Sequence, residues 1–358
     1  MRELRIDNQR IHDDGDCFVI AEIGHNHQGD LEKAKALILQ AKNCGVNAVK
    51  LQKRDNKSLY SEEMYNKPYE HENSFGRTYG EHREFLEFGR EEYVELKRYC
   101  RELGITFFAT VFDFTSADFL AELDVPAYKI ASGDLKNTPL IKYVARLGKP
   151  VIVSTGGGTM EDVQKVYDVV MPVNPELCLL QCTASYPAPP EDLNLSVIRS
   201  FRERFPDTVI GFSDHYNGIS MAVAAYVLGA RVLEKHFTLN HTWKGTDHAF
   251  SLEPSGMQKM VRDLRRVRLS LGNGVKTSLA SEEAMIIKMG KKIVAARDLS
   301  EGQVLKAQDF DIKSPGDGLS PCEIENLIGR KLNRPIRAGV TLHYDFVDRK
   351  VGDSILHR

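Results

Sequence analysis

Residues 209–236 read VIGFSDHYNGISMAVAAYVLGARVLEKH. Two short apolar runs, 209–213 and 232–236, flank a stretch of helical character, the pattern of a βα unit that feeds a parallel strand. Working outward, the same alternation recurs through the first 270 or so residues, with further runs at 18–23, 48–52, 106–111, 127–130, 151–154 and 177–182. Eight parallel strands in a domain of roughly 250 residues specify an α/β fold of the (β/α)₈, or TIM-barrel, kind. Helix signals fall between the runs. Asp30 is placed to cap a helix with Leu31, Ala34, Leu37, Ile38 and Ala41 on one face, and Thr159 with Asp162 forms a capping-box pattern. Pro139 suits a first helical turn, and Gly148 and Gly272 suit helix ends. Met257 and Met260 sit at core positions of the last barrel helix, 257–271.

Two segments break the pattern. The connection 53–90 is too long for a βα loop and interleaves Tyr60, Tyr65, Tyr69, Phe75, Tyr79, Phe85 and Phe88 with charges, which suits a lid or an interface better than disorder. Residues 272–285 lose all periodicity and read as a linker between a barrel domain, 1–271, and a C-terminal domain, 286–358. That second domain contains an internal echo. Arg297, Gly302, Val304, Leu305 and Phe310 are matched by Arg334, Gly339, Thr341, Leu342 and Phe346, so a small β-rich module with pseudo-symmetry is expected.

Composition narrows the function. The chain has 358 residues, is 42% hydrophobic and 27% charged, and carries a formal net charge of −2, which argues against nucleic-acid binding. Six scattered cysteines with no CxxC pair suggest neither a disulfide framework nor a zinc knuckle and fit a reducing cytoplasm. No secretory leader or membrane-spanning run is present in the sequence, so a membrane role is not expected.

The carboxyl ends of barrel strands carry the active site in this fold, and here they are unusually polar. They offer Glu22, Lys50, Gln52, Thr110, Lys129, Ser132, Ser154, Tyr186, Ser213, His215, Glu234 and His236. Lys50 and Lys129 stand in apolar strands, where an unpaired ammonium is costly, so they call for an anion. His215 and His236 come from adjacent strands and can share one divalent ion, Mn²⁺ or a similar metal such as Mg²⁺ or Co²⁺, with open positions left for water and substrate. Glu22 is a further ligand or a base. A Schiff base on one lysine is the competing chemistry. Gly156, Gly157 and Gly158 offer backbone amides to a phosphate, or simply a flexible loop.

The segments AEIGHNHQGD (21–30), VKLQ (49–52), YKIASGD (128–134), CTASYP (182–187), FSDH (212–215) and LEKHFTL (233–239) resemble, in order, the motifs of the sialic acid synthase family. The linker and C-terminal module resemble its SAF, or antifreeze-like, domain, a β-clip fold. The resemblance covers nearly the whole chain. It implies a synthase that condenses phosphoenolpyruvate with N-acetylmannosamine or its 6-phosphate. Phosphoenolpyruvate would be bound through Lys50, Lys129, Ser132, Ser154 and Ser213, and a metal would sit on His215 and His236. Glu22, Gln52, Tyr186 and Asp247 would face the sugar, and Glu22 and Glu234 are candidates for proton handling. A homodimer is also implied, in which the C-terminal module of one chain covers the barrel mouth of the other; the loop 313–318 (KSPGDG) has the turn chemistry of a protruding tip.

This sequence departs from the family pattern at two points. Ser314 stands where bacterial members that use the free sugar tend to have Arg, and Ala184 stands where Asn is common. TYGEH (78–82) and TWKGTDH (242–248) instead resemble the animal branch, whose members use the 6-phosphate, with Lys53 or Arg54 as candidates to meet it. Rival readings are a legionaminate- or pseudaminate-type synthase, a synthase of a seven- or eight-carbon acid, a Schiff-base aldolase, and a noncatalytic carbohydrate- or ice-binding protein.

Overall fold

The computed structural model describes residues 2–348. The chain divides into two compact units, the first ending at Gly272 and the second beginning at Asn273. The first opens with a hairpin, β1 (Glu3–Ile6) and β2 (Gln9–His12), that the sequence pattern does not announce. Its apolar side chains Leu4, Ile6 and Ile11 are buried. It docks by the amino ends of two barrel strands, where Thr106 Oγ1 donates to Asp7 at 2.6 Å and Asn47 Nδ2 to Gln9 at 2.6 Å.

Eight parallel strands then close into a barrel: β3 (Phe18–Gly24), β4 (Ala48–Lys53), β5 (Thr106–Val111), β6 (Tyr128–Ile130), β7 (Val151–Ser154), β8 (Leu177–Cys182), β9 (Val209–Asp214) and β10 (Val232–His236). Neighbours follow chain order, and β10 returns to β3, placing His236 opposite Glu22. Apart from Gln52, every strand residue is buried, because side chains on one face fill the barrel and those on the other lie beneath helices. Gly211 in β9 is needed there, since a Cβ would lie 2.4 Å from Leu180 and from the Val232 carbonyl.

The punctuation in the sequence is used as read. Asp30 caps the helix Leu31–Asn43, accepting from Lys33 N at 3.0 Å. Thr159 and Asp162 form a reciprocal box at the start of Met160–Val170. The helix Pro254–Leu271 buries Met257 and Met260 completely and stops at Gly272, which has φ of 57°. The long connection is ordered into helices Asn56–Leu59, Glu62–Tyr65 and Tyr79–Leu86, held by ring packing. Phe75 stacks on Phe85 at 5.0 Å, and Tyr79 meets Tyr60 and Tyr69 edge-on at 5.1 and 5.4 Å.

In the second unit, a helix (Glu283–Met289) begins within the stretch read as linker. It is followed by the antiparallel pair β11 (Lys292–Ala295) and β12 (Phe310–Lys313). The echoed positions play matching parts. Gly302 and Gly339 take φ near +80° in turns (80° and 81°), and Leu305 and Leu342 are both buried at 1% exposure in the core built on Ile293, Leu299, Leu332 and Ile336.

Candidate active site

Thirteen of the candidate residues, Asp247 included, line one cavity of about 390 Å³ at the carboxyl end of the barrel. Register explains the convergence. Glu22 pairs with Lys50 across β3 and β4, Gln52 with Thr110 across β4 and β5, Thr110 with Lys129 across β5 and β6, and Ser213 with Glu234 across β9 and β10.

The floor is a charge cluster. Lys50 Nζ donates to Thr110 Oγ1 at 2.6 Å, contacts Glu22 Oε2 directly and lies 3.8 Å from Glu234. Lys129 Nζ donates to Ser154 Oγ at 2.6 Å and to the Ile130 carbonyl at 3.0 Å, and lies 3.7 Å from the same Glu234 oxygen. Burial resists ionisation of Glu234, but Lys129 and Lys50 outweigh it and hold its pKa below the usual carboxylate value. Burial also lowers the pKa of Lys129, opposed by Glu234. Glu234 Oε2 is buried without a hydrogen-bond partner. Ser213 Oγ approaches Glu234 Oε1 at 3.4 Å. Ser132 Oγ accepts from Gly156 N at 3.0 Å, so that glycine's amide is already engaged; a Cβ on Gly156 would lie 2.8 Å from the hydroxyl.

The two imidazoles meet with ring centroids 5.5 Å apart. Burial, reinforced by His236, pulls the pKa of His215 down to about 3, so it is neutral. Its Nδ1 lies 2.8 Å from the Thr183 carbonyl; a carbonyl only accepts, so Nδ1 carries the proton and Nε2 keeps the lone pair. His236 Nδ1 is buried without a hydrogen bond, 3.7 Å from Asp247. Among the described residues no group of three or more His, Cys, Asp or Glu is arranged to hold a metal. Two adjacent imidazoles fit an ion that completes its shell with water and substrate, and do not fit a closed structural site. Tyr186, itself exposed, covers His215 with ring centroids 4.1 Å apart.

Gln52 Nε2 donates to Glu22 Oε1 at 2.7 Å, while its own oxygen accepts from Arg54 at 2.8 Å. Lys53 turns the other way. It is bound by Glu87 at 2.7 Å and the Phe88 carbonyl at 3.0 Å and does not line the cavity. Arg83, from the long connection, does line it and was not singled out by the sequence reading, because nothing in the spacing of that segment says which residues turn inward. The same reading passed over the buried pair Asp214–Lys235, 3.0 Å apart, where Asp214 also accepts from Tyr216 N at 2.9 Å and so brackets His215.

The NeuB family model matches residues 37–276, and the SAF domain model matches residues 292–348. A human protein named N-acetylneuraminate-9-phosphate synthase is 43% identical over 333 residues, covering 93% of each chain. A Legionella pneumophila N,N'-diacetyllegionaminic acid synthase is 35% identical, covering 93% of this chain and 95% of the relative. The crystal structure of a Leptospira borgpetersenii N-acetylneuraminic acid synthetase in complex with citrate superposes with a TM-score of 0.70 at 32% identity, covering 80% of this chain and 95% of that one.

Proposed function

This chain belongs to the NeuB family, and on that premise we propose that its barrel joins phosphoenolpyruvate to an N-acetylated amino sugar, adds water and releases phosphate, giving a nine-carbon sugar acid such as N-acetylneuraminate. One observation carries the reading. Two fully buried lysines, each seated on a hydroxyl and sharing Glu234, lie in one cavity with two imidazoles, which suits a small phosphorylated carboxylate lying beside an electrophile.

Lys50 and Lys129, with Thr110, Ser132, Ser154 and Ser213, would hold the phosphate and carboxylate and offset their charge in place, without reorganisation during the reaction. Glu22, Gln52, Tyr186 and Asp247 would position the sugar. His215 and His236 would hold a divalent ion, Mn²⁺ or else Mg²⁺ or Co²⁺, which when bound supplies Lewis-acid polarisation of the aldehyde. C3 of phosphoenolpyruvate bonds to the aldehyde carbon, and water adds to the cation left at C2. The C2–O bond of that tetrahedral intermediate then breaks, and phosphate leaves with the former bridging oxygen. Glu22 and Glu234 are the carboxylates placed to take the proton from water, and the anionic state of Glu234 suits it to accept one.

We extend the proposal to a cytoplasmic homodimer in which the SAF unit of one chain covers the barrel mouth of the other. The six cysteines are all free thiols, and residues 273–281 are exposed along their length, which supports a reducing setting and a segment able to reach away. Among the described residues no helix is long and apolar enough to cross a membrane. The test of the chemistry is isotopic. With ¹⁸O in the bridging position of phosphoenolpyruvate, released phosphate should carry the label, and label left in the sugar acid would refute the step at C2. Running the assay across N-acetylmannosamine and the legionaminate and pseudaminate precursors identifies the sugar.

A further inference from the structure

We propose that the ion pair Asp214–Lys235, hidden in the barrel wall, positions His215 against His236 and so sets how tightly the two imidazoles hold a divalent cation. The proposal rests on the reading of those histidines as metal ligands and adds to it the residues that space them.

The two histidines are fastened unequally. His236 is the last residue of β10 and lies opposite Glu22 of β3, so the sheet itself holds its backbone. β9 ends at Asp214, so His215 stands one residue past the ladder, and Asn217 just beyond it is exposed. The chain is leaving the barrel there. His215 has other bonds, from Nδ1 to the Thr183 carbonyl at 2.8 Å and from Ala188 N to its own carbonyl at 3.0 Å. These tie it to the segment after β8 and not to β10.

The ion pair supplies the missing link. Asp214 and Lys235 are partners in the register of β9 and β10, each immediately before one of the histidines. Alternation turns them outward where the histidines turn inward, and of the four only the histidines line the cavity. Lys235 Nζ lies 3.0 Å from Asp214 Oδ2 and also donates to the Tyr216 carbonyl, while Asp214 Oδ1 accepts from Tyr216 N at 2.9 Å. The pair thus takes both the N–H and the C=O of Tyr216. His215 is held on both sides, at 214 and at 216, to the residue that precedes His236.

Stability does not account for charges in this place. Phe212 and Leu233, the preceding residues on the same outer face, are at most 1% exposed, as are Asp214 and Lys235 themselves. In such an apolar layer two ions lose their hydration, and apolar side chains of similar volume commonly serve stability as well or better. What apolar contacts lack is direction. Charge-assisted hydrogen bonds fix a distance and an angle. Placed behind two ligands, they fix the separation of those ligands, here 5.5 Å between ring centroids.

The experiment removes the charges and keeps the volume. The full-length protein carrying Asp214→Leu together with Lys235→Met should stay folded, by its melting curve, and yet bind Mn²⁺ about 10- to 100-fold more weakly. Free Mn²⁺, read by electron paramagnetic resonance during titration, gives that affinity without reference to turnover. The Mn²⁺ concentration for half-maximal rate should rise by the same factor. A folded double variant whose Mn²⁺ affinity stays within about twofold of the wild type makes the pair merely structural and overturns the proposal. If the double variant does not fold, Asp214→Asn takes its place, since it keeps an oxygen for Tyr216 N and loses the charge; unchanged Mn²⁺ affinity there overturns the proposal too. If the wild type itself binds no Mn²⁺, the reading of the histidines as ligands fails by itself. Crystal structures then decide the positioning, with rings 5.5 Å apart in wild type and variant counting against it and a changed separation supporting it.

Discussion

Neutralising Glu234 tests the charge balance on the barrel floor. Its Oε1 lies 3.8 Å from Lys50 Nζ and 3.7 Å from Lys129 Nζ. At an effective dielectric of about 20, each contact is worth about 4 kcal/mol. Glu234→Gln keeps the shape and loses both attractions, but it also removes the desolvation cost of the carboxylate itself. The net loss is therefore about 3–5 kcal/mol, the range for deleting one member of a buried pair. Lys50 retains Glu22, so the stranded charge is chiefly that of Lys129, left with Ser154 and a carbonyl. With an unfolding entropy of about 2.1 cal/mol/K per residue over the barrel unit, Tm should drop by about 7 °C. Phosphoenolpyruvate replaces the lost negative charge, so it should bind the variant more tightly and protect it more than it protects the wild type. At a hundred times its Kd that protection is about 2.7 kcal/mol. Scanning calorimetry with and without phosphoenolpyruvate measures both effects, and turnover should fall at the same time. A variant that melts within about 1 °C of the wild type, or that gains less from phosphoenolpyruvate, refutes the role of Glu234 as shared counter-ion.

Chelation by EDTA should abolish turnover and Mn²⁺ should restore it, while His215→Ala and His236→Ala lose both activity and bound Mn²⁺ by elemental analysis; full activity in metal-stripped protein would count against the two histidines as ligands. Asp309 in the SAF unit is fully buried and accepts from Arg297 at 2.7 and 3.0 Å and from Lys306 N at 2.9 Å, and although burial opposes ionisation these donors hold its pKa below the usual value. A depressed folded pKa gives stability that is present above the unfolded value near 4 and is lost as pH falls through the folded one; hydrogen exchange over 292–348 should show that acid loss, and Asp309→Asn should remove the slope and about 2 kcal/mol at neutral pH. For the swapped dimer, a His236→Ala chain mixed with a chain truncated at Leu279 should regain part of the wild-type rate after subunit exchange, whereas heterodimers that form and stay inactive would place the SAF unit in cis.

The barrel was legible because its strands are buried on both faces, which turns each into an apolar run, and because the polar residues that interrupt those runs cluster at one end. Glu22, Lys50, Lys129, Ser213, Glu234 and His236 could be gathered on that ground alone. The hairpin Glu3–His12 escaped because three buried apolar residues among eight strand positions leave too weak an alternation. Lys235 and Asp214 escaped for a different reason. Alternation places them on the outer face of their strands, where charge usually meets water, yet here they are 1% exposed and pair with each other. Lys53 and Arg54 stood together in the sequence as phosphate candidates. The alternation that puts Gln52 toward the cavity sends Lys53 to Glu87 and leaves Arg54 at the rim.

Arg83 shows where such reading stops and what the architecture gains from it. The groups proposed to act on phosphoenolpyruvate sit on strands, or immediately after them, where the barrel register fixes which of them are neighbours. Arg54 and Arg83, which also line the cavity, sit past the strand end and on a connection that is ordered by its own packed rings. A connection of that kind can be altered without disturbing the barrel, because its order depends on contacts made largely within itself. On the proposed function, the chemistry would be held by the strands and the choice of sugar left to what lies above them. We therefore propose residues 53–90 as the place to look for sugar choice, because Arg83, which lines the cavity, and its anchor Tyr79 lie on one helix there.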